Sequence, residues 1–489
     1  MCNLGGIVRK GRTIGLAMGV TAVAAAVVAA AATSAPAASR PDASTRATAP
    51  KISIKPGVLH LGKVFSSPPT GQCAPGITCY VPAQMQRAYN LGPLFSRGIT
   101  GKGRTIAIVD SFGSPTIKRD LAFFDKTFGL PAPPSLAVIA PAGPIPKWDP
   151  ANSDMVGWAG ETTLDVEWAH AMAPGANIVL IETPVSETEG VTGFPQIVNA
   201  EKQVITNPRA HGIAKPDVIS QSFSATEETF TGIGQINAKG LRDSYKLAAQ
   251  HGVTVLTASG DSGAADVGLD LSTFFTRPVT SWPDSDPLVT GVGGTQVKLS
   301  STGKFSQVAW NDTFTRAVQE YIFGDAGPNP LASGGGKSIL FSRPTWQNGF
   351  KSVTGNARGV PDISMSGACA GLADVYESFP PGTGIPNGWF PSCGTSEATP
   401  LFAGIVALAA QVAGHSLGLI NPALYRLSAQ HAPGLVDVTS GSNIVSFTQG
   451  GKKYTFGFPA RKGYDLVTGV GTVNAAFFAY ELAGKRAPW

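Results

Sequence analysis

Charged residues are scarce in this chain, and their scarcity excludes several classes of protein. Only 14% of the 489 residues are Asp, Glu, Lys or Arg, and the formal net charge is +5. The sequence has no long run of Lys and Arg, which argues against a nucleic-acid-binding protein. Glycine and proline are abundant instead, at 59 and 38 residues, and 43% of the residues are hydrophobic. This composition is typical of a loop-rich globular protein with a large core.

A secretory signal is predicted for residues 1–38. Arg9, Lys10 and Arg12 precede an uncharged Ala/Val-rich stretch over 14–32, and small residues follow it. This is the arrangement of a cleavable signal peptide. A retained membrane anchor is the alternative, because the stretch is about long enough to span a bilayer. We expect cleavage, and therefore a secreted, extracellular protein.

The cysteine count agrees with export. The chain has five cysteines, and signal cleavage would remove Cys2. The remaining four form an even set, which favours two disulfides in an exported protein. Three pairings are open, and proximity in sequence favours Cys73–Cys79 together with Cys369–Cys393.

Apolar runs predict the buried strands of a parallel sheet. The runs lie at 105–110, 176–182, 218–222 and 253–258. Helical patterns separate them, and this alternation favours an α/β fold with a mainly parallel central sheet and helices on both faces. We expect one domain over 83–489, preceded by a short extended leader over 39–82 that is rich in Pro, Ser, Ala and Thr.

The segment Gly394-Thr395-Ser396, followed by Pro400 and an apolar run, predicts a serine at the start of a helix. The unpaired N–H groups and the positive dipole end of such a helix favour a developing oxyanion. Gly-Thr-Ser with a proline four residues later is also the nucleophile signature of subtilisin-like folds. An ordinary helix-capping serine is the simpler alternative.

Three carboxyl groups could supply proton chemistry. Glu161 and Asp165 lie four residues apart on a predicted helix, so their side chains share one face. Burial would raise the pKa of at least one of them, and the pair could then hold and pass a proton under acidic conditions. A solvated acidic face is the alternative. Asp261 follows the strand at 253–258 and, when protonated, could donate a hydrogen bond to an oxyanion.

Histidine is missing from the position where a subtilisin-type enzyme needs it. None of the six histidines lies in a suitable segment after the strand at 105–110. The sequence therefore combines a subtilisin-like serine with a carboxylate pair. An enzyme that uses Asp110 with a distant histidine stays an alternative, as does a catalytically silent relative that binds peptides.

These motifs resemble those of the sedolisin family, the serine-carboxyl peptidases, over about residues 80–485. Glu161-Thr-Thr-Leu-Asp165 is similar to the family's Glu-x-x-Leu-Asp helix, 259–264 to its oxyanion segment and 333–338 to its Gly-rich substrate-side segment. The resemblance implies a subtilisin-like fold. It also implies an acid endopeptidase that acts on protein or peptide substrates, without nucleic acid and without a membrane once the signal is removed. We expect a monomer.

The resemblance assigns a role to each candidate residue. Ser396 would be the nucleophile and Glu161 its general base. Asp165 would orient Glu161 and share its proton, while Asp261 would stabilise the oxyanion. Asp110 would be structural.

The resemblance further implies one Ca²⁺ ion. Its ligands would be the side chains of two aspartates and three backbone carbonyls, from Asp437, Asp465, Val438, Arg461 and Gly463. Oxygen ligands in tight loops suit this hard cation. Two unrelated Asp-containing turns are the alternative.

The chain departs from the family pattern at three places. Arg461 stands where the calcium loop usually has glycine, and Ser222-Phe223-Ser224 replaces Ser-Trp-Gly. The family normally has a large folded prodomain, whereas only residues 39–82 lie between the predicted signal and the predicted domain.

Overall fold

The computed structural model describes residues 64–379 and 382–489. The predicted signal at 1–38 lies outside the described residues, as does the leader up to residue 63. The strands are β1 Gly71–Ala74, β2 Ile77–Tyr80, β3 Thr105–Ser111, β4 Leu136–Ile139, β5 Asn177–Thr183, β6 Val218–Gln221, β7 Ala225–Thr226, β8 Thr254–Ala258, β9 Ser281–Trp282, β10 Thr290–Leu299, β11 Phe305–Ala309, β12 Gly336–Ser342, β13 Ala357–Val360, β14 Ile363–Ser366, β15 Gly371–Ala373, β16 Tyr376–Glu377, β17 Gly388–Trp389, β18 Leu435–Val436, β19 Val445–Gln449, β20 Lys452–Phe456 and β21 Thr472–Val473.

Helices connect and cover these strands. The α-helices are α1 Pro82–Ala88, α2 Gly92–Phe95, α3 Ile117–Phe128, α4 Ser153–Met172, α5 Phe194–Thr206, α6 Ile233–Ala238, α7 Asp243–His251, α8 Arg316–Phe323, α9 Lys351–Thr354, α10 Thr395–Ala413, α11 Asn421–Ala429 and α12 Ala475–Leu482. Short 3₁₀ turns lie at Pro208–His211, Glu227–Thr229 and Thr345–Phe350.

The central sheet has eight strands. Seven follow the order β11-β10-β8-β6-β3-β5-β4, and β14 pairs with β10. Every pairing in this sheet is parallel except that of β10 with β11. The four apolar runs of the sequence form β3, β5, β6 and β8, so the predicted mainly parallel sheet is confirmed.

Both faces of the sheet are covered, as the sequence predicts. Successive side chains of a strand point to opposite faces, and β3 illustrates the result. Ile106 and Ile108 pack in one core cluster with α4 and α10, while Ala107 and Val109 pack in a second cluster with α5 and α7. Continuous apolar runs are therefore needed in these strands, because neither face is exposed to water.

Helix α10 is a core helix. By length and composition it could cross a membrane, but 83% of its most apolar window is buried inside the protein. It lies very close to α4 at Gly404, where an added Cβ would be 2.5 Å from the Cβ of Met172. Glycine therefore permits the close approach of the two helices that carry Ser396, Glu161 and Asp165.

The disulfides Cys73–Cys79 and Cys369–Cys393 are both present, which confirms the predicted pairing. The first lies in the segment assigned to an extended leader. Part of that segment is folded instead, because β1 and β2 form a hairpin and β2 pairs with β15. The limits 39–82 and 83–489 themselves stay a prediction.

A buried ion pair stabilises the turn that leads from β13 to β14. Arg358 and Asp362 are both fully buried, and Nη1 of Arg358 donates to Oδ1 of Asp362 at 2.8 Å. The Asp362 carboxylate also accepts from the Tyr425 hydroxyl at 2.7 Å and from the Gly291 N–H at 2.9 Å. The carboxylate is therefore fully hydrogen-bonded while Arg358 balances its charge.

We expect Arg358→Met to lower the free energy of unfolding by about 3–5 kcal/mol, because it leaves Asp362 charged in the core. Urea unfolding at pH 6 measures the change. Arg316→Met is the control, since Arg316 pairs with Glu320 on the surface and its loss should change stability by no more than about 0.5 kcal/mol. Equal losses in the two variants would contradict the expectation.

Candidate active site

Ser396 is the second residue of α10 and is 1% exposed. The helix begins after Gly394, whose φ of +116° lies in a region that favours glycine. A Cβ at Gly394 would also lie 2.7 Å from Oδ2 of Asp261. Glycine thus lets the serine loop approach Asp261 closely. The Cys369–Cys393 disulfide fixes the chain immediately before this loop.

Asp261 is hydrogen-bonded to the residue that precedes the serine. Its Oδ1 accepts the backbone N–H of Thr395 at 2.7 Å and the Thr395 hydroxyl at 2.8 Å. Asp261 follows β8, so the C-terminal end of a buried strand positions it, as the sequence predicts. Burial raises the pKa of Asp261 to about 6, and the two bonds from Thr395 lower it in part. The carboxyl is therefore mostly protonated in acidic solution.

Glu161 and Asp165 lie one turn apart on α4, and both are fully buried. The alternative of a solvated acidic face is therefore wrong. Burial raises the pKa of Asp165 well above its usual value, the negative charges of Asp110 and Glu161 add to the rise, and the Ser222 hydroxyl lowers it. The same hydroxyl donates to the backbone carbonyl of Ser396 at 3.3 Å. Ser222 thus contacts α10 and also affects the pKa of Asp165.

Some of the predicted site residues are joined by hydrogen bonds, and others interact only electrostatically. Asp261 contacts the serine loop, and Glu161 acts electrostatically on Asp165. The Ser396 hydroxyl makes no hydrogen bond to any residue that the structure describes. In proteins without substrate, catalytic hydrogen bonds are often long or poorly aligned. The role of Ser396 as nucleophile therefore stays a prediction.

Asp110 belongs to the same cluster, although the resemblance assigns it a structural role. It is fully buried at the end of β3 and acts electrostatically on Asp165. Burial raises the pKa of Asp110 to about 7, the Thr162 hydroxyl lowers it, and the charge of Glu182 raises it. The position at a strand end was visible in the sequence, but its proximity to α4 was not.

The alternative that pairs Asp110 with a histidine has no support in the described residues. None of their histidines hydrogen-bonds to Asp110 or Ser396. His170 is buried on α4 and lies beside Asp125, with its Nε2 3.1 Å from Oδ1 of that residue. His415 lies near the surface, where its Nδ1 contacts the carbonyl of Ser416 at 2.8 Å.

Thr395 and Ser222 are two site residues that sequence reasoning missed. Thr395 supplies both hydrogen bonds to Asp261, while Ser222 donates to the Ser396 carbonyl and lowers the pKa of Asp165. Thr395 is the middle residue of Gly394-Thr395-Ser396, and Ser222 is the first residue of Ser222-Phe223-Ser224. Their position in those motifs was the available signal, but a hydroxyl group alone does not predict a partner far away in sequence.

The five predicted calcium ligands lie in two loops that contact each other. The Gly463 N–H donates to Oδ2 of Asp437 at 2.8 Å, which joins the loops. The Arg461 N–H donates to Oδ2 of Asp465 at 2.7 Å. The Thr468 hydroxyl contacts the carbonyl of Val438 at 3.4 Å and Oδ1 of Asp465 at 3.2 Å.

This donor set fits a calcium ion, because two carboxylates and three carbonyls offer only oxygen atoms and leave room for water among six to eight ligands. The described residues contain no group of three or more His, Cys, Asp or Glu side chains that could hold a metal ion. Any calcium site here therefore depends on backbone carbonyls.

Comparison with curated proteins finds several relatives, although no protein-family model matches the chain. Kumamolisin of Bacillus sp. (strain MN-32) is 30% identical over 402 residues, which cover 81% of this chain and 62% of kumamolisin. Tripeptidyl-peptidase 1 of Homo sapiens is 31% identical over 339 residues, which cover 64% of this chain and 50% of that protein. Sedolisin of Pseudomonas sp. (strain 101) is 30% identical over 325 residues, covering 65% and 48%. The chain thus spans 48–62% of the length of these relatives.

A solved structure shows the same fold. Pseudomonas sedolisin, described as a serine-carboxyl proteinase complexed with two molecules of pseudo-iodotyrostatin, superposes with a TM-score of 0.63 at 25% sequence identity. The superposition covers 82% of this chain and 96% of that structure. The predicted subtilisin-like α/β fold is therefore confirmed.

We expect stability to fall between pH 4 and pH 7, and Asp110→Asn to reduce that fall. A carboxyl whose pKa is higher in the folded than in the unfolded state stabilises most below about pH 4, and loses this contribution as the pH rises toward the folded pKa. The folded pKa of Asp110 is raised to about 7. One pKa unit corresponds to about 1.4 kcal/mol, so the variant should recover about 2–4 kcal/mol at pH 7.

The measurement is the free energy of unfolding by urea at pH 4 and pH 7. Glu320→Gln, a change at an exposed position, is the control and should leave the wild-type difference intact. If Asp110→Asn retains the full wild-type loss between the two pH values, Asp110 is not the group that titrates.

Proposed function

We propose that the chain is a serine-carboxyl peptidase of the sedolisin family, an endopeptidase that hydrolyses peptide bonds at acid pH. One observation supports the proposal above all others. The carboxyl group of Asp261 is partly buried and held by Thr395, the residue before Ser396. A protonatable acid thus lies beside the serine, where an oxyanion would form during attack on a carbonyl.

The proposed reaction passes a proton through Glu161. The Ser396 oxygen attacks the carbonyl carbon of the substrate while Glu161 takes the hydroxyl proton. Protonated Asp261 donates a hydrogen bond to the oxyanion. The C–N bond then breaks, and Glu161 gives its proton to the leaving amine. Water releases the acyl group by the reverse transfers, which restore the Ser396 hydroxyl.

Asp165 would keep Glu161 ionised, so that Glu161 can accept a proton. The raised pKa of Asp165 keeps it protonated in acid, so it can donate a hydrogen bond toward Glu161 and leave that carboxylate able to accept a proton. The Ser222 hydroxyl, which donates to the Ser396 carbonyl, helps to position the start of α10.

We further propose secretion and binding of one calcium ion. The predicted signal at 1–38 and the two disulfides support export, because disulfides persist in oxidising compartments. Asp437 and Asp465 would supply carboxylates, and Val438, Arg461 and Gly463 would supply carbonyls. Bound calcium would hold the two loops together. Substrates would be proteins or peptides, and the enzyme would act as a monomer.

Hydrolysis of a denatured protein between pH 3 and pH 8 tests the function. We expect acid-limited activity that falls as the pH rises through about 6, because Asp261 must be protonated to donate and its pKa is raised to about 6. Ser396→Ala should abolish activity, and Glu161→Ala should lower kcat by at least about 10²–10⁴.

Asp261→Asn is the matched control for the pH dependence. Its amide can still accept from Thr395 and donate to the oxyanion but does not titrate, so the decline near pH 6 should weaken. Activity that is unchanged through neutral pH in the wild type would refute the acid mechanism. A folded wild type with no activity at any pH would favour the silent peptide-binding alternative.

We expect calcium to raise the melting temperature, and a chelator to lower it. A ligand present at about 100 times its Kd stabilises the folded state by about 2.7 kcal/mol. Asp437→Asn should remove most of this response, because it retains an oxygen for the Gly463 N–H but loses a charged ligand. Thermal unfolding with calcium, magnesium or chelator measures the effect. A wild-type melting temperature that is insensitive to all three would contradict the site.

A further inference from the structure

Residues 64–81, called the N-terminal strap below, are folded onto the domain. The Cys73–Cys79 disulfide closes the β1–β2 hairpin. On its other side β2 pairs in parallel with β15, nearly 300 residues away in sequence, and Thr78, Cys79 and Tyr80 lie opposite Gly371–Ala373. The hydroxyl of Tyr80 donates to the carbonyl of Val297 at 3.0 Å, which fixes the strap to the central sheet.

Three side chains of β2 are buried. Ile77 is 1% exposed, Cys79 0% and Tyr80 2%. At the other end of the strap, Phe65 exchanges two backbone hydrogen bonds with Trp389, of 3.0 and 2.9 Å. Removal of the strap would therefore expose apolar surface and leave backbone groups of β15 unpaired, and both changes are costly in a protein core.

The strap is connected to the serine loop through β15. The Thr78 N–H donates to the carbonyl of Ala370, and the Asp374 N–H donates to that of Tyr80, both at 3.1 Å. Ala373 lies between Ala370 and Asp374. Its backbone faces the opposite edge of β15 and exchanges two hydrogen bonds, of 2.8 and 2.7 Å, with the backbone of Ser392.

Ser392 lies four residues before Ser396, and the Cys369–Cys393 disulfide ties the same two segments together. One short strand thus carries the strap on one edge and the serine loop on the other. A displacement of β15 would be transmitted directly to Ser396.

We propose that the strap is retained in the active enzyme and positions the Ser396 loop, so that any processing cut falls before Val64. The composition of 39–82 predicts a short extended leader that would include these residues. Retention rests on the burial and pairing of the strap. Its positioning role also rests on the proposed function, because only a catalytic Ser396 makes the placement of the loop matter for activity.

The N-terminus of the active enzyme tests retention. Purified full-length secreted protein with activity is analysed by N-terminal sequencing and by intact mass without reduction. We expect the chain to begin at or before Val64 and to contain the Cys73–Cys79 disulfide. Fully active enzyme that begins after Val81 and lacks the strap would overturn the proposal.

Substitutions in the strap test its positioning role. We expect Ile77→Ala and Tyr80→Ala to lower kcat about tenfold or more, because a small misplacement of a reacting group has effects of this size. KM should change less than about twofold, since the strap acts through β15 and not on the substrate. Tyr80→Phe removes only the bond to Val297 and should restore most of kcat. Thr70→Ala, at an exposed strap position, is the control.

All assays are run well below the melting temperature of each variant. A lowered melting temperature with unchanged kcat would overturn the positioning role, since a merely structural strap would affect stability alone. If Tyr80→Ala does not fold, the positioning role is decided by comparing the kcat of Tyr80→Phe and of Ile77→Ala with that of Thr70→Ala. If the wild type cleaves no substrate, the proposed function fails, while the N-terminus of the secreted protein still decides on retention.

Discussion

The burial of carboxyl groups around Ser396 is the constraint on which the active site depends. Glu161, Asp165 and Asp110 are all fully buried, and Asp261 lies against the serine loop. Transfer of a carboxylate out of water is costly unless a cation pairs with it, and the group then remains neutral to a higher pH. A cluster of this kind is compatible with a stable fold in acid, where most of its members carry protons.

The parallel sheet explains why these groups meet. Asp110 is the last residue but one of β3 and Asp261 follows β8, so both lie at the carboxyl edge, where open α/β sheets place their functional groups. Helices α4 and α10 cross the same face and add Glu161, Asp165 and Ser396. Their close approach at Gly404 packs two long buried helices together on that face. The fold thus gathers residues that are separated by more than 280 positions in sequence.

Local patterns predicted the elements, whereas contacts distant in sequence escaped prediction. Strands such as β3 are continuous apolar runs bounded by turn residues, and α10 follows from Pro400 and the apolar spacing behind it. The strap escaped because its strands have four residues each and its Pro- and Ser-rich composition is that of a leader. It is stabilised by the Cys73–Cys79 disulfide, which the cysteine spacing did predict, and by pairing with β15, which leaves no local signal.

The same limit applies inside the site. The spacing of Glu161 and Asp165 predicted that they share a face, but spacing does not tell whether that face is buried. Asp110 was visible at a strand end, yet its effect on Asp165 depends on how α4 lies over the sheet. Because that helix face is buried, the charge of Glu161 raises the pKa of Asp165. Burial itself is a property of the whole fold.

A carboxylate in place of histidine suits the chemistry that this environment permits. Histidine has an ordinary pKa of about 6.5, so in acid it is protonated and cannot accept a proton from serine. A glutamate beside a protonated aspartic acid remains able to accept one at lower pH, because the neighbour donates to its charged form. In the proposed mechanism Asp261 needs the same acidic conditions for the opposite reason, since it would stabilise an oxyanion only while it carries a proton. The proposed base and the proposed oxyanion donor would therefore both be competent in one acidic window, and this shared requirement would let a subtilisin-like fold work without a catalytic histidine.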